Sequence, residues 1–164
     1  MPAKKIAVRA RSASVAPAGP PDLTDRRVYR HWFDEPIRFG DQDSLGHVNN
    51  ASVATYCESA RLALSQELGY VPGKHGIGWV LARIAIDYRA ELHYPGTVNI
   101  GTVVSRLGTS SCTLLSGIFC KGKCAATAEA ILVMINYTTR KSVPIPQGLR
   151  RKLAKLESNR TARR

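Results

Sequence analysis

Residues 38–68 read RFGDQDSLGHVNN (Arg38–Asn50) followed by ASVATYCESARLALSQEL (Ala51–Leu68). The first half is polar and rich in turn residues. The second half carries Val53, Tyr56, Cys57, Ala60, Leu64 and Leu68 at steps of three and four. That spacing puts one apolar stripe on a helix over about Ala51–Leu68. Asn49 or Asn50 can cap its start, because an Asn side chain accepts from the free N–H groups of a first turn. Gly69 can stop it, since glycine enters the left-handed region without steric cost. Ala51, Ala54, Ala60 and Ala63 keep the stripe slim enough for a sheet to approach closely.

Outward from this helix, the pattern changes to a period of two. Val28–Phe39 is apolar and aromatic and contains a first strand. Trp79–Arg89 sets Val80, Ala82, Ile84, Ile86 and Tyr88 on one face, against Leu81, Arg83, Ala85 and Asp87 on the other. Pro95-Gly96 turns the chain. Val98–Val104, Cys112–Phe119 and Ala125–Tyr137 follow as strands, separated by a Gly/Ser turn at Leu107–Ser111 and a short hairpin at Lys121-Gly122-Lys123. The order is strand, helix, then four strands with short connections. Short connections favour antiparallel neighbours. One long helix against one curved antiparallel sheet of about five strands is an α+β way to bury a core.

Charge divides the chain. Of 164 residues, 24 are Lys or Arg and 12 are Asp or Glu, a formal net charge of +12. Residues 1–30 carry seven basic and two acidic residues, and residues 140–164 carry nine basic and one acidic. Residues 31–139 hold eight basic and nine acidic residues, so the body is nearly neutral. Residues 1–27 therefore read as a basic leader without periodicity, 28–140 as the folded domain, and 141–164 as a basic tail with room for one short helix. Basic ends attract nucleic acid or anionic surfaces. Here they read first as solubilising ends, and nucleic acid and membrane are not expected partners. Met1–Pro21 is rich in Arg, Ala and Ser with no acid before Asp22, a composition shared by transit peptides and by floppy leaders. No apolar run approaches the roughly 18 residues of a membrane span. Cys57, Cys112, Cys120 and Cys124 follow no secretory signal. Cys120 and Cys124 lack zinc-knuckle spacing and a second ligand pair. They are expected as free thiols of a cytoplasmic protein, with no bound metal.

Chemistry concentrates in Arg38–Asn50. Asp41, Asp43 and His47 stand just before a helix start, where unpaired N–H groups and the helix dipole can polarise a carbonyl oxygen. A carboxylate there can attack that carbonyl or activate water. Asp41 and Asp43 can equally be turn-capping residues. His47 can pair with Asp43 or bond backbone in the loop.

Phe39-Gly40-Asp41-x-Asp43-x-x-Gly46-His47-Val48-Asn49-Asn50, followed by Tyr56, Glu58, Ala60 and Arg61, resembles the signature of the 4-hydroxybenzoyl-CoA thioesterase family. The resemblance covers about residues 30–140. It implies a hotdog fold and hydrolysis of an acyl-CoA thioester. It assigns the catalytic carboxylate to Asp43, a supporting role to Asp41, and the thioester-oxygen donor to backbone N–H near Asn50. It also implies a homodimer or a tetramer of dimers, and no cofactor. The sequence departs from the founding member, which is aromatic where this chain has His47–Asn50. Many relatives carry Tyr where this chain has Val53. A second hotdog branch uses a helix Glu, but Glu58 stands nearly two turns in. It is expected to pair with Arg61 or to meet a partner subunit. For the CoA phosphates the body offers Arg83, Arg89, Arg106, Lys121 and Lys123, and Arg106 with Thr109, Ser110 and Ser111 at a turn is the expected contact. Two rivals remain: a hotdog hydratase or dehydratase using Asp43 and His47, and a non-catalytic binding module with basic tails.

Overall fold

The computed structural model of the protein describes residues 20–70 and 76–157. Strand β1 (His31–Ile37) leads through a tight turn at Phe39–Asp41 into helix α1 (Asn50–Glu67). Four strands follow: β2 (Ile77–Tyr88), β3 (Gly96–Leu107), β4 (Ser111–Cys120) and β5 (Lys123–Asn136). A short helix, α2 (Gln147–Ala154), closes the described chain. All pairings are antiparallel, in the order β1-β3-β4-β5-β2. This is the expected α+β hotdog arrangement, one long helix against a five-stranded sheet. Among the described residues no helix is long and apolar enough to cross a membrane.

The helix begins and ends for the reasons its sequence gives. Asn49 caps it, its side chain accepting from the Ala51 N–H at 2.8 Å. Gly69 ends it with φ +73°, where its N–H donates to the Gln66 carbonyl. The stripe of Val53, Tyr56, Cys57 and Ala60 is buried against Ile37, Val98, Ile100, Ile118, Ala126 and Ala128. The hairpin between β4 and β5 turns on Lys121 at φ 48° and Gly122 at φ 80°. Two positive φ angles match the twist of the strands they join.

Three expectations need correction. The alternation along β2 breaks at a bulge, where Leu81 and Arg83 face consecutive residues of β5 and Ala82 is left over. Leu81, beside the bulge, is exposed. The folded domain also extends on both sides of 28–140. On the N-terminal side, Leu23 and Val28 pack with Tyr29, Trp32 and Phe119 on the sheet face away from α1. The Tyr29 ring fills space left by Gly101 and Gly117, where any side chain would collide with it. Residues 1–19, and with them most of the expected leader, lie outside the described residues.

On the C-terminal side the basic tail is structural as far as residue 157. Ile145, Leu149 and Leu153 are buried with Leu64, Val104, Cys112 and Met134. Arg150 donates to the Gly108 carbonyl at 2.6 Å, and Lys152 to the Leu68 carbonyl at 2.7 Å. The cationic heads thus reach carbonyls while the leucines enter the core. Leu153→Ala should lower the unfolding free energy by about 2–4 kcal/mol in a urea melt, the usual result for a truncated core leucine. A change below about 0.5 kcal/mol would mean that α2 does not dock.

The four cysteines are free thiols, with Cys57 and Cys112 buried. Burial pushes the Cys57 thiol up to about 11 and Cys112 up to about 12, which leaves both protonated and inert.

Candidate active site

The loop between β1 and α1 is held by Asp41. Its carboxylate accepts from the Arg38 N–H at 2.8 Å and from the Tyr56 hydroxyl at 2.6 Å. Its carbonyl accepts from the Asn49 N–H at 2.8 Å and the Ser52 hydroxyl at 3.1 Å. One residue therefore ties the strand end, the helix cap and the second turn of α1 together. Burial, and then the hydrogen bond to Asp41, pushes the Tyr56 phenol well above its usual range. The phenol stays a donor. Tyr56→Phe should cost about 1–3 kcal/mol of stability, because the Asp41 carboxylate loses a partner in a half-buried site. Thermal or urea unfolding of the variant checks this. A neutral result would mean that water satisfies Asp41 equally well.

Asp43 sits at the tip of this loop. Its N–H donates to the His47 carbonyl at 3.0 Å, and its carbonyl accepts from the Gly46 N–H at 3.1 Å. One carboxylate oxygen accepts from the Leu45 N–H at 2.9 Å. The other lies 3.5 Å from His47 Nδ1. That ring nitrogen also lies 3.4 Å from the Val48 carbonyl. Both readings of His47, partner of Asp43 and bonded to backbone, thus describe one position. Gly46 adopts φ +81°, so the turn between Asp43 and His47 favours glycine there. A second clamp comes from the segment after β2. The Val48 N–H donates to the Leu92 carbonyl at 2.7 Å, and His93 Nδ1 lies 3.1 Å from the Gly46 carbonyl.

Asn50 is the first residue of α1, one past its cap. Among the described residues no acceptor takes its N–H. The Tyr88 hydroxyl donates to its carbonyl at 3.1 Å. The helix start opens on a cavity of about 270 Å³, walled by Val48, Val53, Leu92 and Ala126, with His47 and Tyr88 also in its lining. Asp43 is not part of that lining. Its side chain is about one-fifth exposed and reaches the cavity wall through His47. The His47 imidazole and Asn50, whose N–H is free, therefore line one opening, with the Asp43 carboxylate behind the imidazole. Such a set can polarise a carbonyl and deliver a nucleophile to it.

The other expected residues lie elsewhere. Ser111 pairs with Val133 of β5, seven residues along from Ala126 at the cavity. At the strand rise this is about 23 Å. Arg106 and the turn with Ser110 are therefore at the far end of the sheet from the Asn50 of the same chain. There the Ser110 carbonyl accepts from the Met134 N–H at 2.7 Å. Glu58 is exposed on α1 and, among the described residues, forms no ion pair with Arg61. The Arg61 guanidinium is largely buried beside Cys57, and burial lowers its affinity for the proton. Tyr88, Leu92 and His93 join the site without a sequence motif to announce them. Their only signal is Tyr88, an aromatic residue at the end of an alternating strand. Among the described residues no group of three or more His, Cys, Asp or Glu is placed to hold a metal.

Comparison with known proteins bears on the fold and the family. The profile of the thioesterase-like superfamily matches residues 37–153, which includes α2. The uncharacterized protein YsmA of Bacillus subtilis (strain 168) is 26% identical over 108 residues, 65% of this chain and 74% of its own length. The PA5185 protein of Pseudomonas aeruginosa strain PAO1 superposes with a TM-score of 0.78 at 28% identity, covering 82% of this chain and 96% of that one. A thioesterase from Thermus thermophilus, solved in complex with coenzyme A and Zn, gives a TM-score of 0.70 at 30% identity, covering 79% and 96%. With its sheet order, its long capped helix and a matching profile over most of its length, the chain belongs to the thioesterase-like superfamily and is a hotdog-fold thioesterase.

Proposed function

We propose that the chain hydrolyses an acyl-CoA thioester to the free acid and CoA, with Asp43 as the catalytic carboxylate and the Asn50 N–H as oxyanion donor. The observation that carries this reading is the free Asn50 N–H at the cavity, beside a loop that Asp41 ties to the same helix. The thioester carbonyl oxygen accepts from the Asn50 N–H and gains from the positive helix end as it becomes an oxyanion. Asp43 acts in one of two ways. It attacks the carbonyl carbon to give a mixed anhydride that water then opens, or it takes a proton from the water that attacks. In both, the C–S bond breaks, the thiolate of CoA leaves and is protonated, and the water oxygen ends in the acid. No metal or redox cofactor takes part.

The assembly proposed is a homodimer or a tetramer of dimers in the cytoplasm, with sheets paired edge to edge and the acyl group near the subunit boundary. Glu58, exposed on α1, suits a subunit contact.

The rival hydratase reading draws on the approach of His47 to Asp43. A panel of short, medium, long and aromatic acyl-CoAs, followed by free-thiol detection, separates the two. Thiol release is the expected outcome. Hydration of an enoyl-CoA without thiol release would replace hydrolysis with the rival.

A further inference from the structure

The turn that carries Asp43 is pinned at both ends and loose between them. The Val48 N–H donates to the Leu92 carbonyl at 2.7 Å, and the Asn49 N–H to the Asp41 carbonyl at 2.8 Å. Between these bonds and Asp43, the tip residues Ser44, Leu45 and Gly46 are exposed. Gly46 stands at φ +81°, and glycine has more backbone freedom than any other residue. The peptide unit between Gly46 and His47 can therefore rotate at little cost. Its orientation matters, because it sets where the His47 ring starts, and that ring lies 3.5 Å from the Asp43 carboxylate. Among the described residues the Gly46 carbonyl meets one donor, His93 Nδ1 at 3.1 Å.

We infer that His93 is a positioning residue for the reaction: its Nδ1–H pins the Gly46 carbonyl and so holds the turn in the one shape that keeps Asp43 and His47 together beside the cavity. The inference rests on the acyl-CoA reading above and adds to it a residue outside the cavity lining at Asn50. A carbonyl oxygen can only accept, so the proton of this contact sits on Nδ1. Glu91 approaches the other edge of the ring, its carboxylate 3.3 Å from Nε2, and the protonated ring serves both acceptors at once. The neighbours of His93 fix its place. Leu92 before it is buried in the core cluster under α1. Tyr94 after it meets Phe39 edge to face, with ring centroids 5.8 Å apart. Three consecutive residues thus each hold one residue of the loop. Leu92 takes Val48, His93 takes Gly46 and Tyr94 takes Phe39. The outer two contacts secure the stems of the loop, and only the His93 contact reaches the glycine about which the tip can turn. Placement of this kind bears on rate, because a shift of about 1 Å in a catalytic group can cost ~10²-fold.

The test compares His93→Leu and His93→Asn with the parent in the full chain. Steady-state kinetics on the best acyl-CoA gives kcat and KM, and NMR gives the solvent exchange of the Asp43 and Gly46 amides. His93 is exposed, so both variants should fold, which a thermal melt checks. His93→Leu removes the donor and should lower kcat about tenfold with KM within about twofold, because the residue orients the turn and does not line the cavity at Asn50. The Asp43 and Gly46 amides, whose acceptors lie inside the turn, should exchange at least about fivefold faster in that variant. His93→Asn places an N–H where Nδ1 stood and should restore kcat to within about threefold of the parent. Parent kcat in the Leu variant, a loss carried by KM instead, or an Asn variant no better than the Leu variant overturns the inference. Unchanged amide exchange overturns it as well, whether or not the chain cleaves thioesters. Absence of thiol release by the parent chain would overturn the hydrolysis reading instead, while the exchange comparison still decides whether His93 holds the turn.

Discussion

Asp43→Asn should lower kcat by at least about 10²-fold while leaving the fold intact. The substitution keeps the size of the side chain and its oxygen. The Leu45 N–H that Asp43 now accepts at 2.9 Å can still be accepted by an amide oxygen. The main-chain bonds that shape the turn, Asp43 N–H to His47 and Gly46 N–H to Asp43, do not involve the side chain. Stability should therefore move little. What disappears is the charge that attacks or activates water, and an amide can do neither. Loss of a general base typically costs 10²–10⁴ in rate, and loss of a nucleophile is no milder. Steady-state kinetics on the best acyl-CoA, paired with a thermal melt, reads both sides. Retention of more than about a tenth of the activity would remove Asp43 from the chemistry.

The second large effect belongs to the backbone at residue 50. Asn50→Pro deletes the free N–H at the helix start, and Asn50→Ala keeps it. Proline fits there better than almost anywhere else in α1. Residue 50 is the first helical position, where the N–H has no helical acceptor and the fixed φ of proline suits the turn. The residue before a proline must be extended, and Asn49 already is, at φ −61° and ψ 143°. The helix cap is the side chain of Asn49, so neither substitution touches it. Both variants should fold. The Ala variant should stay within severalfold of the parent, and the Pro variant should lose about 10²–10³ in kcat, the usual cost of one oxyanion donor. Equal activity in two folded variants would put the donor elsewhere.

The course of α1 was legible because its burial follows one stripe. Val53, Tyr56, Cys57, Ala60 and Leu64 are the buried residues, and each stood in the periodic pattern. The choice between Asn49 and Asn50 as cap was not legible, since adjacent asparagines offer the same chemistry and only the entry angle of the chain selects one. The short helix expected in the basic tail is α2, but its docking on the core was hidden by its charge. Its apolar content is Leu149 and Leu153 with Ile145 upstream, among Arg150, Arg151 and Lys152. Nothing local shows that carbonyls at Gly108 and Leu68 await those cations. The bulge at Ala82 was hidden because the apolar alternation runs through it unbroken in sequence.

For the site, the spacing of Asp43 and His47 was readable within one loop. The wall from Tyr88 to Leu92 was not, because it reaches the helix start only through the pairing of β2 with β5. The same register carries Arg106 and Ser111 to the opposite end of the sheet, a distance that a linear motif does not contain. An expected i,i+3 pair, Glu58 with Arg61, does not form: the glutamate faces solvent and the arginine, half-buried, meets no carboxylate within ion-pair distance among the described residues.

Whether a thioester carbonyl binds at the start of α1 with Asp43 beside it can be seen directly. A crystal structure of the protein with a non-hydrolysable acyl-CoA analogue, its sulfur replaced by methylene, makes the measurement. The analogue's carbonyl oxygen is expected at about 2.7–3.1 Å from the Asn50 nitrogen, with the Asp43 carboxylate facing the carbonyl carbon either directly or through one water. A carbonyl bound away from the helix start, with the Asn50 N–H still free or turned to solvent, would contradict that placement.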